Sequence, residues 1–160
     1  MVHPLKEDDL IKNILASAKT IAMVGVSSIK KEVSTNIKRR PSIIVMKYLQ
    51  EFGYRVIPVN PFSVGKEIYG ETMVSQLEDI KIPIDIVDVF RPSIEAPMLA
   101  KQAVKIKAKV FWLQYGIQNE EAEKIVKLEN ITCIANRCIK QEYQRLFLKV
   151  SPVFPALKRK

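Results

Sequence analysis

The sequence predicts an α/β fold in which a doubly wound sheet of five parallel strands, ordered 3-2-1-4-5, carries helices on both faces. Three observations lead there. Five short segments are nearly continuous in apolar residues, as strands covered on both faces are. Stretches with helical spacing of apolar residues separate several of them. The length of 160 residues suits one domain with a core on each side of a single sheet. Strand, helix and strand at this pitch imply right-handed crossovers and therefore parallel pairing.

In chain order, a helix is expected from about Pro4 to Ala18, followed by a first strand from Ile21 to Val26. The other strands are Arg55 to Val59, Ile84 to Phe90, Lys109 to Gln114 and Ile131 to Asn136, all rich in Val, Ile and Phe. Between the first two, Val45, Tyr48, Leu49 and Phe52 share one helical face, with Pro41 suited to the first turn and Gly53 to the stop. Ala96, Leu99, Ala100 and Ala103 repeat that spacing after the third strand. Asn119 followed by Glu120 and Glu121 reads as the capped, acid-enriched start of a helix before the last strand. The pattern is Rossmann-like. Its ligands are expected beyond the carboxyl ends of the strands, where the strand order reverses, which in this order lies beside the ends of the first and fourth strands.

Composition narrows the chemistry. Hydrophobic residues make up 48% and charged ones 27%, with no apolar run near the roughly 18 residues of a membrane helix. Lys6, Glu7, Asp8 and Asp9 interrupt the opening segment where a signal peptide needs apolar residues, so a cytoplasmic protein is expected. The only cysteines, Cys133 and Cys138, lack metal or redox spacing, and the one histidine, His3, leaves no Ser-His-Asp triad or multi-histidine metal site to assemble. The net charge of +9 suggests a phosphate-bearing partner, although Lys158, Arg159 and Lys160 read as a solvated basic tail. One domain over 1–160, with a core of about 20–147, accommodates these features.

Polar and cationic residues gather at the strand ends. The first strand closes on Gly25-Val26-Ser27-Ser28, which offers a flexible backbone and two hydroxyls but not the G-x-G-x-x-G dinucleotide pattern. A basic loop then leads to Arg40 and Pro41, and a helix start preceded by such charge suits a phosphate, with Arg40 as a planar fork. Exposed, solvated lysines are the alternative for Lys30 and Lys31. The second strand ends in Pro58-Val59-Asn60-Pro61, where a dinucleotide site would place an acid on the ribose; a structural turn is the competing reading of Asn60. Phe90 and Arg91 end the third strand, where Phe90 could flank a purine or close the core. Gln114, Tyr115 and Gly116 end the fourth, and Asn136, Arg137 and Cys138 the fifth. Beside Arg137, Cys138 is either a thiol facing the site or a buried, inert one.

From about Thr20 to Phe147 the chain resembles the single-domain CoA-binding protein family, similar in turn to the N-terminal CoA-binding domain of the succinyl-CoA synthetase α subunit. The resemblance rests on Val24-Gly25-Val26-Ser27, Arg40-Pro41-Ser42, the run Gly53 to Pro61, the run Asp85 to Arg91, the run Trp112 to Ile117, and Asn136-Arg137-Cys138. It implies that Gly25, Ser27 and Ser28 lie against the phosphates of coenzyme A, with Arg40, Pro41 and Ser42 at the head of the next helix. It also implies that Asn60 and Pro61 border the adenosine, that Phe90 and Arg91 form a wall, that Gln114 and Gly116 face the pantetheine arm, and that Arg137 belongs to the site. The link between Gly-x-Ser and Arg-Pro-Ser is longer and more basic than is usual in the family, and Asn136 stands where the family commonly has Asp. In the synthetase a second domain carries the phosphorylated histidine, and nothing in this chain corresponds to it. The expectation is a protein that binds CoA or an acyl-CoA without self-contained ligase activity. The alternatives are an NADP-dependent oxidoreductase, disfavoured by the missing glycines, and a basic nucleic-acid-binding protein, which lacks a basic helix interleaved with aromatics.

Overall fold

A computed structural model of the protein describes residues 4–27 and 41–149. Ser28, the basic loop 29–39, Arg40, His3 and the terminal Lys158 to Lys160 lie outside the described residues. Helix α1 (Pro4–Ser17) leads into β1 (Thr20–Val24), and α2 (Pro41–Glu51) into β2 (Arg55–Val59). A small hairpin, β3 (Glu67–Ile68) and β4 (Glu71–Thr72), precedes β5 (Ile86–Val89). Then come α3 (Ala96–Lys105), β6 (Val110–Leu113), α4 (Glu120–Leu128), β7 (Thr132–Ile134) and α5 (Ile139–Tyr143), which continues as a π turn, Gln144–Leu148.

Five parallel strands form the main sheet in the order β2-β1-β5-β6-β7. Counting only these five, the order is 2-1-3-4-5, so the third strand sits beside the first and not beyond the second. The hand of the crossovers explains this. The connection through α2 crosses one face and steps from β1 to β2. The next connection has no α-helix; it packs Leu77 on the opposite face among Ala22, Val24, Ile57 and Val59. A right-handed connection over that opposite face steps the other way, past β1. The reversal therefore lies between β1 and β5, and the expected cleft moves with it from the fourth strand to the third.

Each face has its own core. Ile11 and Leu15 of α1, Ile43, Met46 and Leu49 of α2, and Ile139 of α5 pack on Ile21, Met23, Ile86 and Trp112. Leu99, Ala100 and Ala103 of α3 and Ala122 and Val126 of α4 pack on Val24, Val87, Val89, Phe111 and Leu113. The small side chains let α3 sit close to the sheet. Asn119 caps α4 as its sequence suggests, accepting a hydrogen bond from Ala122 N–H at 2.9 Å. The buried stripe of α2 is broader than the spacing of Val45, Tyr48, Leu49 and Phe52 indicates: Ile43 and Met46 are buried, while Phe52 is 40% exposed and lies against Tyr48 and Tyr143. The β3–β4 hairpin, with positive φ at Tyr69 and Gly70, and α5 have no counterpart among the sequence expectations.

Two carboxylates of β5 and its approach differ in fate. Asp85 accepts from Lys19 N–H at 2.8 Å and Thr20 N–H at 3.1 Å; burial alone would raise its pKa, but these donors and Lys109 hold it below the usual range. Asp88, level with Met23 and Trp112 in the middle of the sheet, is fully buried, and neither of its oxygens has a partner among the described residues. Burial pushes its pKa well up, so the native protein holds a proton that the unfolded chain releases above about pH 3.9. The stability this group allows is therefore fully present below that pH and falls as pH rises toward the raised native value. Denaturant titrations of the wild type and Asp88→Asn at pH 4.5 and 7.5 should show the difference shifting toward the Asn variant at the higher pH, by about 1 kcal/mol or more. Parallel pH profiles would contradict the assignment.

Candidate functional site

The chain leaves β1 toward α2 on one face and leaves β5 toward α3 on the other, so a cleft opens between the two strand ends. Gly25 makes its floor. Its φ is +96°, and its N–H donates to Val59 C=O at 2.9 Å. A Cβ there would lie 2.9 Å from Arg91 Cδ and 3.1 Å from Phe90 O, so glycine is what lets Arg91 fold across the end of β1. Arg91 then forks onto Glu95, with Nε donating at 3.0 Å and an NH2 group at 2.7 Å to the two carboxylate oxygens. That fork holds the Glu95 carboxyl below its ordinary pKa.

Asn60 is fixed on both sides. Its Nδ2 donates to Val26 C=O at 2.8 Å, and its Oδ1 accepts from Phe62 N–H at 2.9 Å, capping a 3₁₀ turn over Pro61–Ser63. Asn60 thus ties the ends of β1 and β2 together, while the amide keeps a second N–H. Ser42, 3% exposed near the start of α2, accepts from Ser27 N–H at 3.1 Å. This bond ties the turn after β1 to the helix head and leaves the Ser42 hydroxyl a proton to donate.

A pocket of about 230 Å³ opens here, lined by Gly25, Asn60, Pro61 and Arg91 among the residues singled out from sequence. Val24, Val59, Phe62, Ser75 and Gln76 also line it, and Glu95, the N-cap of α3, closes it together with Met98, Leu99 and Gln102 of that helix. These four sit at i, i+3, i+4 and i+7. The same spacing is present in the sequence, where it is the stripe Ala96, Leu99, Ala100 and Ala103 that reads as one helical face. Which flank of the helix overhangs the strand ends depends on how α3 docks.

Other expected residues lie elsewhere. The ring of Phe90 packs on the α2-side core and does not line the pocket, so it closes the core and Arg91 alone forms the wall. Gln114 is 5% exposed; its Oε1 accepts from Ile139 N–H at 3.1 Å, joining β6 to α5. Gly116 has φ +87° and donates to Asn136 Oδ1 at 2.7 Å. Arg137 pairs with Glu7 at 2.9 Å and Glu142 at 3.3 Å, and its carbonyl accepts from Trp112 Nε1 at 2.8 Å. Cys138 is half-buried against the α2-side core. Among the described residues, no cluster of His, Cys, Asp or Glu is arranged to hold a metal ion.

Comparison with known proteins places these observations in a family. The family described as the CoA binding domain matches residues 19–144. An uncharacterised protein of Bacillus subtilis (strain 168), YneT, is 41% identical over 140 residues, covering 88% of this chain and 95% of its own. A solved Thermus thermophilus protein, cell-free ID.343, is 39% identical with a TM-score of 0.79, over 88% of this chain and 98% of that one. A hypothetical protein from Pyrococcus horikoshii OT3 is 37% identical with a TM-score of 0.76, over 87% and 91%.

The close approach at Gly25 is testable by substitution. Gly25→Ala forces a Cβ into a left-handed backbone and against Phe90 O and should cost about 1–2 kcal/mol in denaturant unfolding. Adding Arg91→Ala removes the side-chain part of the clash and should restore only a fraction of the loss. Full restoration would show that backbone conformation contributes nothing.

Proposed function

The chain belongs to the CoA binding domain family, and on that premise we propose that it binds coenzyme A or an acyl-CoA in the cleft between β1 and β5, without ligase activity of its own. The observation that carries this reading is the convergence of Gly25, Asn60, Pro61 and Arg91 on one pocket at the strand-order reversal. Electrostatics orients the ligand. Arg91, the one cation lining the pocket among the described residues, is already neutralised by Glu95, and the remaining walls are largely apolar. That environment favours an uncharged aromatic ring over a phosphate. At about 230 Å³ the pocket falls below the roughly 300–1,000 Å³ of sites that enclose whole ligands, which suits the base while the rest of the cofactor lies outside.

The phosphates then run across Gly25 and Ser27 toward the head of α2, where first-turn N–H groups and the Ser42 hydroxyl can donate. Arg40, adjoining Pro41 in sequence, is the proposed charged fork there. Gln114 and Arg137 act through the fold, holding β6 and β7 to α5 and α1. No helix of the described residues is long and apolar enough to cross a membrane, and the reading requires none.

Calorimetric titration with CoA, acetyl-CoA and NADP tests the proposal. Saturable CoA binding below millimolar concentration is expected, with NADP weaker; NADP binding without CoA binding would replace it with the oxidoreductase reading. Oligonucleotide affinity falling steeply with salt would instead favour nucleic acid. Within the CoA reading, a charge-assisted bond of about 1.5–3 kcal/mol predicts that Arg40→Ala weakens CoA by about ten- to a hundredfold. Dephospho-CoA, which lacks the 3′-phosphate, should be hardly affected if Arg40 meets that group. Equal losses would move Arg40 to the pyrophosphate, and no loss in either would remove it from the site.

A further inference from the structure

Helix α3 and its N-cap offer the pocket an apolar surface between two polar groups: Met98 and Leu99, with the N-cap Glu95 before them and Gln102 beyond. Glu95 is occupied by the Arg91 fork. Gln102 is not. Its backbone carbonyl accepts from Ile106 N–H, but its side-chain amide has no hydrogen-bond partner among the described residues. An uncommitted carboxamide on the wall of an apolar pocket is poised to meet a polar edge entering with a flat ring.

We propose that Gln102 is a specificity-determining residue that reads the amino-bearing edge of an adenine ring held in this pocket, a reading that rests on the CoA assignment above. A carboxamide pairs with adenine in two-point fashion, its oxygen accepting from the 6-amino group and its N–H donating to the adjacent ring nitrogen. The Arg91–Glu95 fork has a complementary part. A guanidinium is planar, and one whose orientation is fixed by two parallel hydrogen bonds presents a steady flat face of the kind that stacks on bases. Val59 and Met98 supply apolar contact, so the ring is held by its faces and identified by its edge. Gln102 lies in α3 and Glu95 is that helix's N-cap, seven residues earlier, so the group that orients Arg91 and the group that reads the base are carried by one helix and the residue that caps it.

The test crosses Gln102→Leu with 1,N6-etheno-CoA, in which a bridge consumes the 6-amino hydrogens and one ring nitrogen while the phosphates and pantetheine are unchanged. Wild-type protein should bind CoA roughly tenfold more tightly than etheno-CoA. Gln102→Leu should lose about that factor for CoA, lose little for etheno-CoA, and so bind the two alike. Equal weakening of both ligands would make Gln102 a merely structural residue, and no weakening of either would remove it from the site; both overturn the proposal. If the wild type prefers CoA and the variant keeps that preference, another group reads the edge and the proposal also fails. Absence of binding to either ligand by folded wild-type protein would defeat the CoA reading itself, an outcome distinct from the other three.

Discussion

The fixed hand of the connections between parallel strands is the constraint on which the site depends. Because α2 crosses one face and the segment carrying Leu77 crosses the other, the chain turns back over β1 and places β5 against it. The cleft follows from that reversal, since α2 and α3, which follow β1 and β5, pack on opposite faces of the sheet. The pocket lining then comes from the ends of β1 and β2, the turn after β2, Ser75 and Gln76 beyond the hairpin, and the turn and helix that β5 feeds.

Among the described residues, charge is partitioned rather than accumulated. The sequence carries a net charge of +9, yet Arg91 in the pocket is paired with Glu95 at 2.7 Å, and Arg137 is held between Glu7 and Glu142. Arg145 extends the second network, reaching Asp8 at 2.8 Å and Glu142 at 2.7 Å. These carboxylates come from α1 and α5, so the cations tie the first helix to the last. These pairs are partly buried, with Glu142 only 8% exposed, and their geometry fixes where guanidinium groups lie and which remain for a ligand.

The residues of one sequence motif can serve different ends of the molecule. In the run Asp85 to Arg91, Asp85 anchors the backbone entering β1, Asp88 is buried unpaired in the sheet, Phe90 closes the α2-side core, and Arg91 alone reaches the pocket. Strand alternation explains the split: neighbours point to opposite faces, and seven residues span the sheet from its amino to its carboxyl edge. Gln114 and Arg137 show the same division, standing at strand ends yet bonded into the fold.

The sequence by itself determined the fold class, the five parallel strands and the helix starts at Pro41 and Asn119, because apolar periodicity and capping residues are local signals that survive without tertiary context; the family was legible in the short motifs at the strand ends. Gly25 and Asn60 were legible as strand-end residues of interest for the same reason. Tertiary structure alone decided that β5 lies beside β1, since sheet order depends on which face each connection crosses. It alone decided that Glu95 and Gln102 face the pocket, because the apolar stripe of α3 fixes the buried face while docking fixes the flank that overhangs the strand ends. It also decided that Gln114 and Arg137 are bonded away from the pocket, since Ile139 lies 25 residues from Gln114 and Glu7 lies 130 residues from Arg137, and each pair meets only through packing of α5 and α1.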